Sequence, residues 1–305
     1  MYYERKNGER SKTESMRLET RQWETRVRRL AMRRYREQEG ACYVEGIRPV
    51  LDAIESRVDL EALLICPELL HSEVALRMVH EQQATGTPLV EFSRANFERF
   101  SDRENPMGLA AIVRWAPLAL AELPTGPEAL LVMAEDLRDP GNLGTLLRTM
   151  DAVGGGGVVV VGASTDPTHP RCLKASMGTV FRVPLARAAS VEDFLHWAQE
   201  RQIWTIATTA RRGPSFWSLA YRRPLALLLG NEGEGLRPET IQMADTVARI
   251  PMWGTASSLN ISVAASVLLY EIRRQEEAGA AHQLDAKPAP PAKSGGMDQS
   301  TPAGR

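Results

Sequence analysis

The chain is short of several things, and each shortage removes a class of protein. Cys42, Cys66 and Cys172 are the only cysteines in 305 residues. An odd count without C-x-x-C spacing supports neither a disulfide framework nor a thiolate zinc site, and it suits a reducing cytoplasm. His71, His80, His169, His196 and His282 are too scattered to suggest a ligand cluster, so no metal is expected. No apolar run approaches the roughly 18 residues of a membrane span, and Met1-Tyr2-Tyr3-Glu4-Arg5-Lys6 leads into charge rather than into the apolar centre of a secretion signal. A cytoplasmic protein off the membrane is expected. Net charge is nearly absent too: 37 Lys and Arg stand against 38 Asp and Glu. A nucleic-acid partner would have to be met by a local basic patch.

What remains is an ordinary globular composition, 43% hydrophobic and 25% charged, over a length that accommodates two domains. Residues 1–40 form a basic arm in which Trp23, Val27, Leu30 and Ala31 recur at helical spacing with arginine on the other face. This reads as one amphipathic helix, either a solvated face or an RNA-contacting arm. From 41 to 115 helical patterns (Ile47 to Ile54, Val74 to His80) alternate with strand-like runs (Ala62 to Cys66, Leu89 to Phe92, Gly108 to Val113), giving a small α/β domain. Pro117, Pro124, Gly126 and Pro127 mark residues 116–128 as a linker.

Residues 129–277 carry short, continuously apolar runs: Leu130 to Ala134, Val158 to Val161, Phe181 to Leu185, Trp204 to Ala207, Leu225 to Leu229 and Ala248 to Met252. Continuous runs imply strands buried on both faces, hence a parallel sheet covered by helices. Leu143, Leu146, Leu147 and Met150 mark one helix, with Asn142 as its cap and Gly154 as its stop. Others run from Val191 to Arg201 and from Leu259 to about Gln275, the last capped by Ser257 or Ser258. The tail, 278–305, has almost nothing to bury and is expected to be disordered. No internal repeat is present.

Four segments place small or polar residues where strands end and helices begin, the usual place for ligands in open α/β sheets. The first runs from Glu135 to Gly154 and contains Asp139-Pro140-Gly141-Asn142-Leu143-Gly144 and Arg148; Gly144 should leave room above that guanidinium. The second, Lys174 to Phe181, is a helix end and a tight turn. The third, Gly230-Asn231-Glu232-Gly233-Glu234-Gly235-Leu236, follows a buried strand, but its G-x-x-G-x-G spacing and its two acids do not suit a pyrophosphate. That spacing also argues against a nucleotide-dependent oxidoreductase. The fourth is Ile250 to Ala265, containing Ser258-Leu259-Asn260-Ile261-Ser262.

In this order and spacing the four segments closely resemble the SpoU or TrmH family of the SPOUT superfamily, RNA ribose 2′-O-methyltransferases that use S-adenosylmethionine. Residues 42–115 also look like that family's RNA substrate-binding domain, from Val44-Glu45-Gly46 to Asn105-Pro106-Met107-Gly108, with Met107 in place of an expected glutamine. The resemblance implies a C-terminal SPOUT-type parallel sheet with a trefoil knot, preceded by a small α/β RNA-binding domain. It also implies a homodimer acting on ribosomal or transfer RNA, the former favoured. The cofactor would lie against Gly230, Asn231, Glu232, Gly233, Ile250, Met252, Ser258 and Leu259, with Ala207 and Thr208 completing the wall. Arg148 matches the family's catalytic arginine. Its guanidinium is hard to deprotonate, which favours a cation that holds a phosphate and stabilises charge on the attacking oxygen. Asn142 would orient Arg148 or the ribose, Glu232 would hold the loop or meet Arg148, and Ser258 and Asn260 would fix the fourth segment. The alternative is an RNA-binding or ribosome-associated protein that keeps the fold without catalysis.

Overall fold

The computed structural model describes residues 20–101 and 103–285. Residues 1–19 and 286–305, which hold much of the expected arm and tail, lie outside it.

Two sheets build the molecule. The first has the order β1 (Ala41–Glu45), β4 (Leu109–Arg114), β2 (Asp59–Ile65) and β3 (Leu89–Glu91). β1 and β2 flank β4 antiparallel, while β3 joins β2 in parallel. Its alternation sends Cys42, Val44, Leu63, Ile65, Leu109, Ala111 and Val113 to one face, where helices α3 (Ile47–Glu55) and α4 (Glu73–Ala84) cover them. Ala41, Tyr43, Ala62, Leu64, Ala110 and Ile112 face the other way. That second face is closed by the basic segment. Residues 20–30 are helical (α1), and α2 follows at Arg33–Glu39. Val27 and Leu30 are buried on the sheet, with Trp23 beside them. The single helix expected here is thus broken at Ala31 and Met32, and its apolar stripe is a lid on the sheet rather than a free arm. The sequence reading also missed β1 and the short α5 (Arg94–Glu98).

The second sheet has seven parallel strands. Their order is β11 (Thr246–Arg249), β9 (Trp204–Thr209), β10 (Leu225–Leu229), β6 (Leu130–Glu135), β7 (Gly157–Val161), β8 (Leu185–Ala188) and β5 (Leu118–Ala119). Both faces are covered, which is why the strands read as unbroken apolar runs. Leu130, Val132, Val158, Val160, Leu225 and Leu227 meet α6 (Pro140–Ala152), α7 (Pro170–Ser176) and α10 (Ile261–Asp285). Leu131, Met133, Val159, Ala226 and Leu228 meet α8 (Val191–Glu200) and α9 (Pro238–Met243).

Several expectations are corrected. Residues 179–181 form a 3₁₀ turn, and β8 begins only after Pro184, which lacks the N–H a strand needs. β11 stops at Arg249 because Pro251 cannot donate to the ladder and Ile250 before it is restricted. The expected linker contains β5, which pairs with β8 as the sheet's edge. α10 passes the predicted end near Gln275 and reaches Asp285, so 278–285 is helical rather than disordered.

The sheets share a core, since one apolar cluster runs from Val44 and Val50 to Leu173, Val180 and Phe181. Trp115 meets Phe181 edge-on at 5.9 Å. The joint also holds a buried ion pair. Arg36 donates from Nη2 and Nε to Asp166 Oδ2 at 2.7 and 3.0 Å, and from Nη1 to the Leu30 and Ala31 carbonyls at 2.8 Å. All three cysteines are free and buried; burial pushes the Cys42 thiol up to about 12.

Candidate active site

The first, third and fourth segments meet at the carboxyl ends of the central strands. β6 ends at Glu135, and α6 starts with Pro140 at its first turn. Asp139 caps it, its Oδ1 accepting the Asn142 N–H at 3.0 Å, so the cap is Asp139 and not Asn142 as predicted. Relieved of capping, the Asn142 amide faces outward and serves as a hub. Its Nδ2 donates to Glu232 Oε1 at 2.9 Å, and its Oδ1 accepts from Asn260 Nδ2 at 3.0 Å. Three segments up to 118 residues apart are joined by one side chain.

Asn260, not Ser257 or Ser258, caps α10: its Oδ1 accepts the Ser262 N–H at 2.9 Å and the Ser262 hydroxyl at 2.6 Å. Thr149 and Ser266 hydroxyls, 2.9 Å apart, tie α6 to α10 one turn further along. The third segment is a closed loop. Asn231 Oδ1 accepts the N–H groups of Gly233 and Glu234 at 2.9 and 2.7 Å, and the Gly235 N–H returns to the Asn231 carbonyl at 3.1 Å. This leaves no space at Gly230, where a Cβ would stand 1.9 Å from the Gly235 carbonyl carbon. The loop's far end is anchored by Glu135, 2% exposed, which accepts from Arg237 and, at 2.9 Å, from the Thr240 hydroxyl. Sequence reading missed this anchor, although an acid ending an otherwise apolar buried strand is a signal that it has a partner.

Arg148 is exposed on α6 and makes no hydrogen bond or ion pair among the described residues. Two acids of the same segment are occupied by other residues: Asp151 by Arg182 at 3.0 Å, and Glu135 by Arg237 and Thr240. Nor does Glu232 pair with it. Gly144 has a role other than the one expected. A Cβ there would lie 2.7 Å from the Cys172 carbonyl and the Ala175 Cβ, so the glycine lets α7 pack closely on α6 rather than clearing space for Arg148.

The remaining candidates lie along the same edge. Ala207 is buried near the end of β9, and the Thr208 hydroxyl donates to the Leu228 carbonyl at 2.8 Å, tying β9 to β10 below the loop. Ile250 and Met252 are half-buried, whereas Ser258 and Leu259 are exposed. Among the described residues, 252–259 make no hydrogen bond, so a run of backbone donors and acceptors is free beside the apolar side chains. Such a mixture suits a neutral heterocycle and its sugar better than a phosphate. Among the described residues no group of three His, Cys, Asp or Glu is placed to hold a metal ion, and no helix is long and apolar enough to cross a membrane.

Known proteins resemble this chain in sequence and fold. Residues 129–270 fit the SpoU rRNA Methylase family, and residues 25–111 fit an MRM3-like substrate binding domain. The second match begins inside the basic segment, in agreement with its packing on the first sheet. A 23S rRNA (uridine(2479)-2′-O)-methyltransferase of Streptomyces viridochromogenes is 30% identical over 82% of this chain and 88% of its own. An AdoMet-bound rRNA methyltransferase from Sinorhizobium meliloti superposes with a TM-score of 0.75 at 31% identity, covering 82% of this chain and 94% of that one. An RNA 2′-O ribose methyltransferase superposes with a TM-score of 0.72 at 35% identity over 83% and 96%. With its site segments joined through Asn142 and homologues that span both sheets, the chain belongs to the SpoU rRNA methylase family of RNA methyltransferases.

Proposed function

We propose that this protein transfers the methyl group of S-adenosylmethionine to a ribose 2′-hydroxyl of structured RNA, with ribosomal RNA as the substrate class. The observation that carries the reading is the Asn142 hub, which holds the third and fourth segments to α6, the helix that also carries an arginine with no side-chain partner among the described residues. The Streptomyces relative's activity on 23S rRNA and the cofactor bound in the Sinorhizobium structure support it.

The cofactor would be held by backbone at Gly230, Asn231, Gly233, Ile250, Met252 and Leu259, with Ser258 at the rim and Ala207 and Thr208 behind. The free backbone groups of Met252 and Leu259 and the apolar side chains of these two residues fit an adenosine. Its sulfonium supplies an activated methyl group. The protein's own work is positioning: an in-line displacement gains most from holding nucleophile and carbon in register. Arg148, cationic throughout, binds the phosphate next to the target ribose and stabilises negative charge developing on the 2′-oxygen. Asn142 and Glu232 fix the loop that faces it, and Asn260 fixes the start of α10. The proton leaves to the neighbouring phosphate or to water.

On the same reading the third and fourth segments form the loops of a trefoil knot, the protein acts as a cytoplasmic homodimer through α6 and α10, and the smaller sheet with residues 20–115 presents the RNA. The test is to incubate the full chain with S-adenosylmethionine and ribosomal RNA, then locate the new methyl group by mass spectrometry of nuclease digests. Methylation of a base, or of transfer RNA alone, refutes the substrate assignment.

A further inference from the structure

One aromatic feature at the edge of the large sheet has no part in the reaction outlined above. Trp253, one residue beyond Met252, is 82% exposed, more than any other large apolar side chain among the described residues. It is nevertheless held in place. Its inner face stacks on Trp217, with ring centroids 5.7 Å apart and planes 12° from parallel. Trp217 contacts Phe216 at 5.0 Å, and Phe216 is buried in the main core. One face of the Trp253 indole is therefore supported from within while the other is bare. An isolated exposed apolar residue needs no explanation, but two indoles stacked nearly parallel at the surface mark a contact surface.

The surroundings indicate what contacts it. The turn leading to Trp217 carries Arg211 and Arg212, both exposed. That turn is bound to the end of β11: the Arg249 N–H donates to the Pro214 carbonyl at 2.9 Å and its Nε to the Gly213 carbonyl at 3.3 Å. None of the three arginines is paired with a carboxylate among the described residues. An apolar protein segment laid on the indoles would leave these cations uncompensated, and a second copy apposed through the same patch would bring like charges together. A single-stranded nucleic acid satisfies both features, since bases stack on aromatic faces while phosphates meet arginines.

We propose that Trp253 is a stacking platform for an unstacked base of the RNA, supported from behind by Trp217 and flanked by Arg211, Arg212 and Arg249 along the path of the phosphates. The proposal rests on the RNA-methylation reading and adds a base-binding position to it. Ile250 and Met252, proposed to line the cofactor, immediately precede Trp253, so the stacked base belongs to the strand that carries the target ribose.

The test compares wild type, Trp253→Ala and Trp253→Phe as full chains. Binding of a fluorescein-labelled decauridylate is measured by anisotropy, and methyl transfer to ribosomal RNA is followed as separate kcat and KM values. Trp253→Ala is expected to weaken oligonucleotide binding roughly tenfold and to raise KM by a similar factor with kcat and S-adenosylmethionine affinity unchanged. Trp253→Phe, which keeps a π face, is expected to stay within about threefold of wild type. Unaltered binding and KM in Trp253→Ala overturn the proposal. So does a Trp253→Ala protein that sediments as a smaller species than wild type, because the occupant is then a second copy. If wild type methylates no RNA but Trp253→Ala still loses oligonucleotide binding, the methylation reading fails and the platform stands.

Discussion

Arg36 and Arg148 show how differently one side chain is used in the two halves of this molecule. Arg36 sits in the joint between the sheets, 3% exposed, with its guanidinium nitrogens on the Asp166 carboxylate, the Thr168 hydroxyl and two carbonyls. Arg148 lies on α6, the helix that begins with the Asn142 hub, and its exposed side chain is bonded to nothing among the described residues. A guanidinium whose donors are consumed inside the protein has nothing left for a ligand and serves as a rivet. One whose donors are all free, next to side chains that are all engaged, is available to an anion that arrives from outside.

The largest effect that would break this contrast is on stability. Arg36→Ala strands the Asp166 carboxylate in the joint, and removing one partner of a buried pair costs about 3–5 kcal/mol. Denaturant unfolding should show that loss, with Arg36→Lys recovering only part of it because an ammonium cannot span the carboxylate and both carbonyls. If Arg36→Ala unfolds like wild type, the joint is held by the apolar cluster alone. Arg148→Ala is expected to do the opposite: kcat falls by about 10²–10³, while unfolding changes by less than about 0.5 kcal/mol. Full activity in that variant would remove Arg148 from the site.

The asymmetry extends to what the sequence reveals. Parallel strands covered on both faces are legible because Leu130 to Ala134 and Leu225 to Leu229 are apolar without interruption, whereas Arg148, Asn142, Glu232 and Asn260 are singled out by the resemblance of their segments to the SpoU family and not by any local feature. Arg36 is singled out by neither, since a basic run such as Arg33-Arg34-Tyr35-Arg36 has no local mark for the one arginine that turns inward; Asp166, its partner, is 130 residues away. The same limit misassigned the caps. Asp139, Asn142, Ser257, Ser258 and Asn260 are all competent capping types, and only the backbone path decides that Asp139 and Asn260 do it, freeing Asn142 to bridge. Gly144 reads in the sequence as room above Arg148, whereas what its missing side chain admits is α7.

The hub offers a smaller test. Asn142→Ala removes both of its side-chain bonds, to Glu232 and Asn260, without touching the α6 cap, which uses the Asn142 backbone. Loosening two loops that do not themselves stabilise charge is expected to lower kcat by roughly tenfold, less than the roughly 10²-fold that a misplacement of about 1 Å can cost, and to weaken S-adenosylmethionine binding measurably. A variant with weakened RNA binding alone would move Asn142 from the site's framework to substrate recognition.

The smallest effect separates the two arginines by pH. Burial, the largest single influence on Asp166, pushes its carboxyl upward, yet the Thr168 hydroxyl, Arg36 and the Thr168 N–H together hold it below the ordinary aspartate value. A carboxyl depressed in the folded state contributes stability that is fully present above its unfolded pKa, about 3.9, and is lost as pH falls through the lower folded value. Wild type should therefore lose unfolding free energy below about pH 4 through this group, whose stabilisation stays full and unchanging between neutrality and about pH 5. Asp166→Asn should flatten that part of the acid limb while lowering stability near neutrality, where the ion pair is intact in wild type. Arg148→Ala should follow the wild-type limb, because no carboxyl among the described residues depends on Arg148 for its charge. A shared change in the acid limb for Arg148→Ala and Asp166→Asn would mean that Arg148 is coupled to the joint, and the division between a rivet and a free cation would fail.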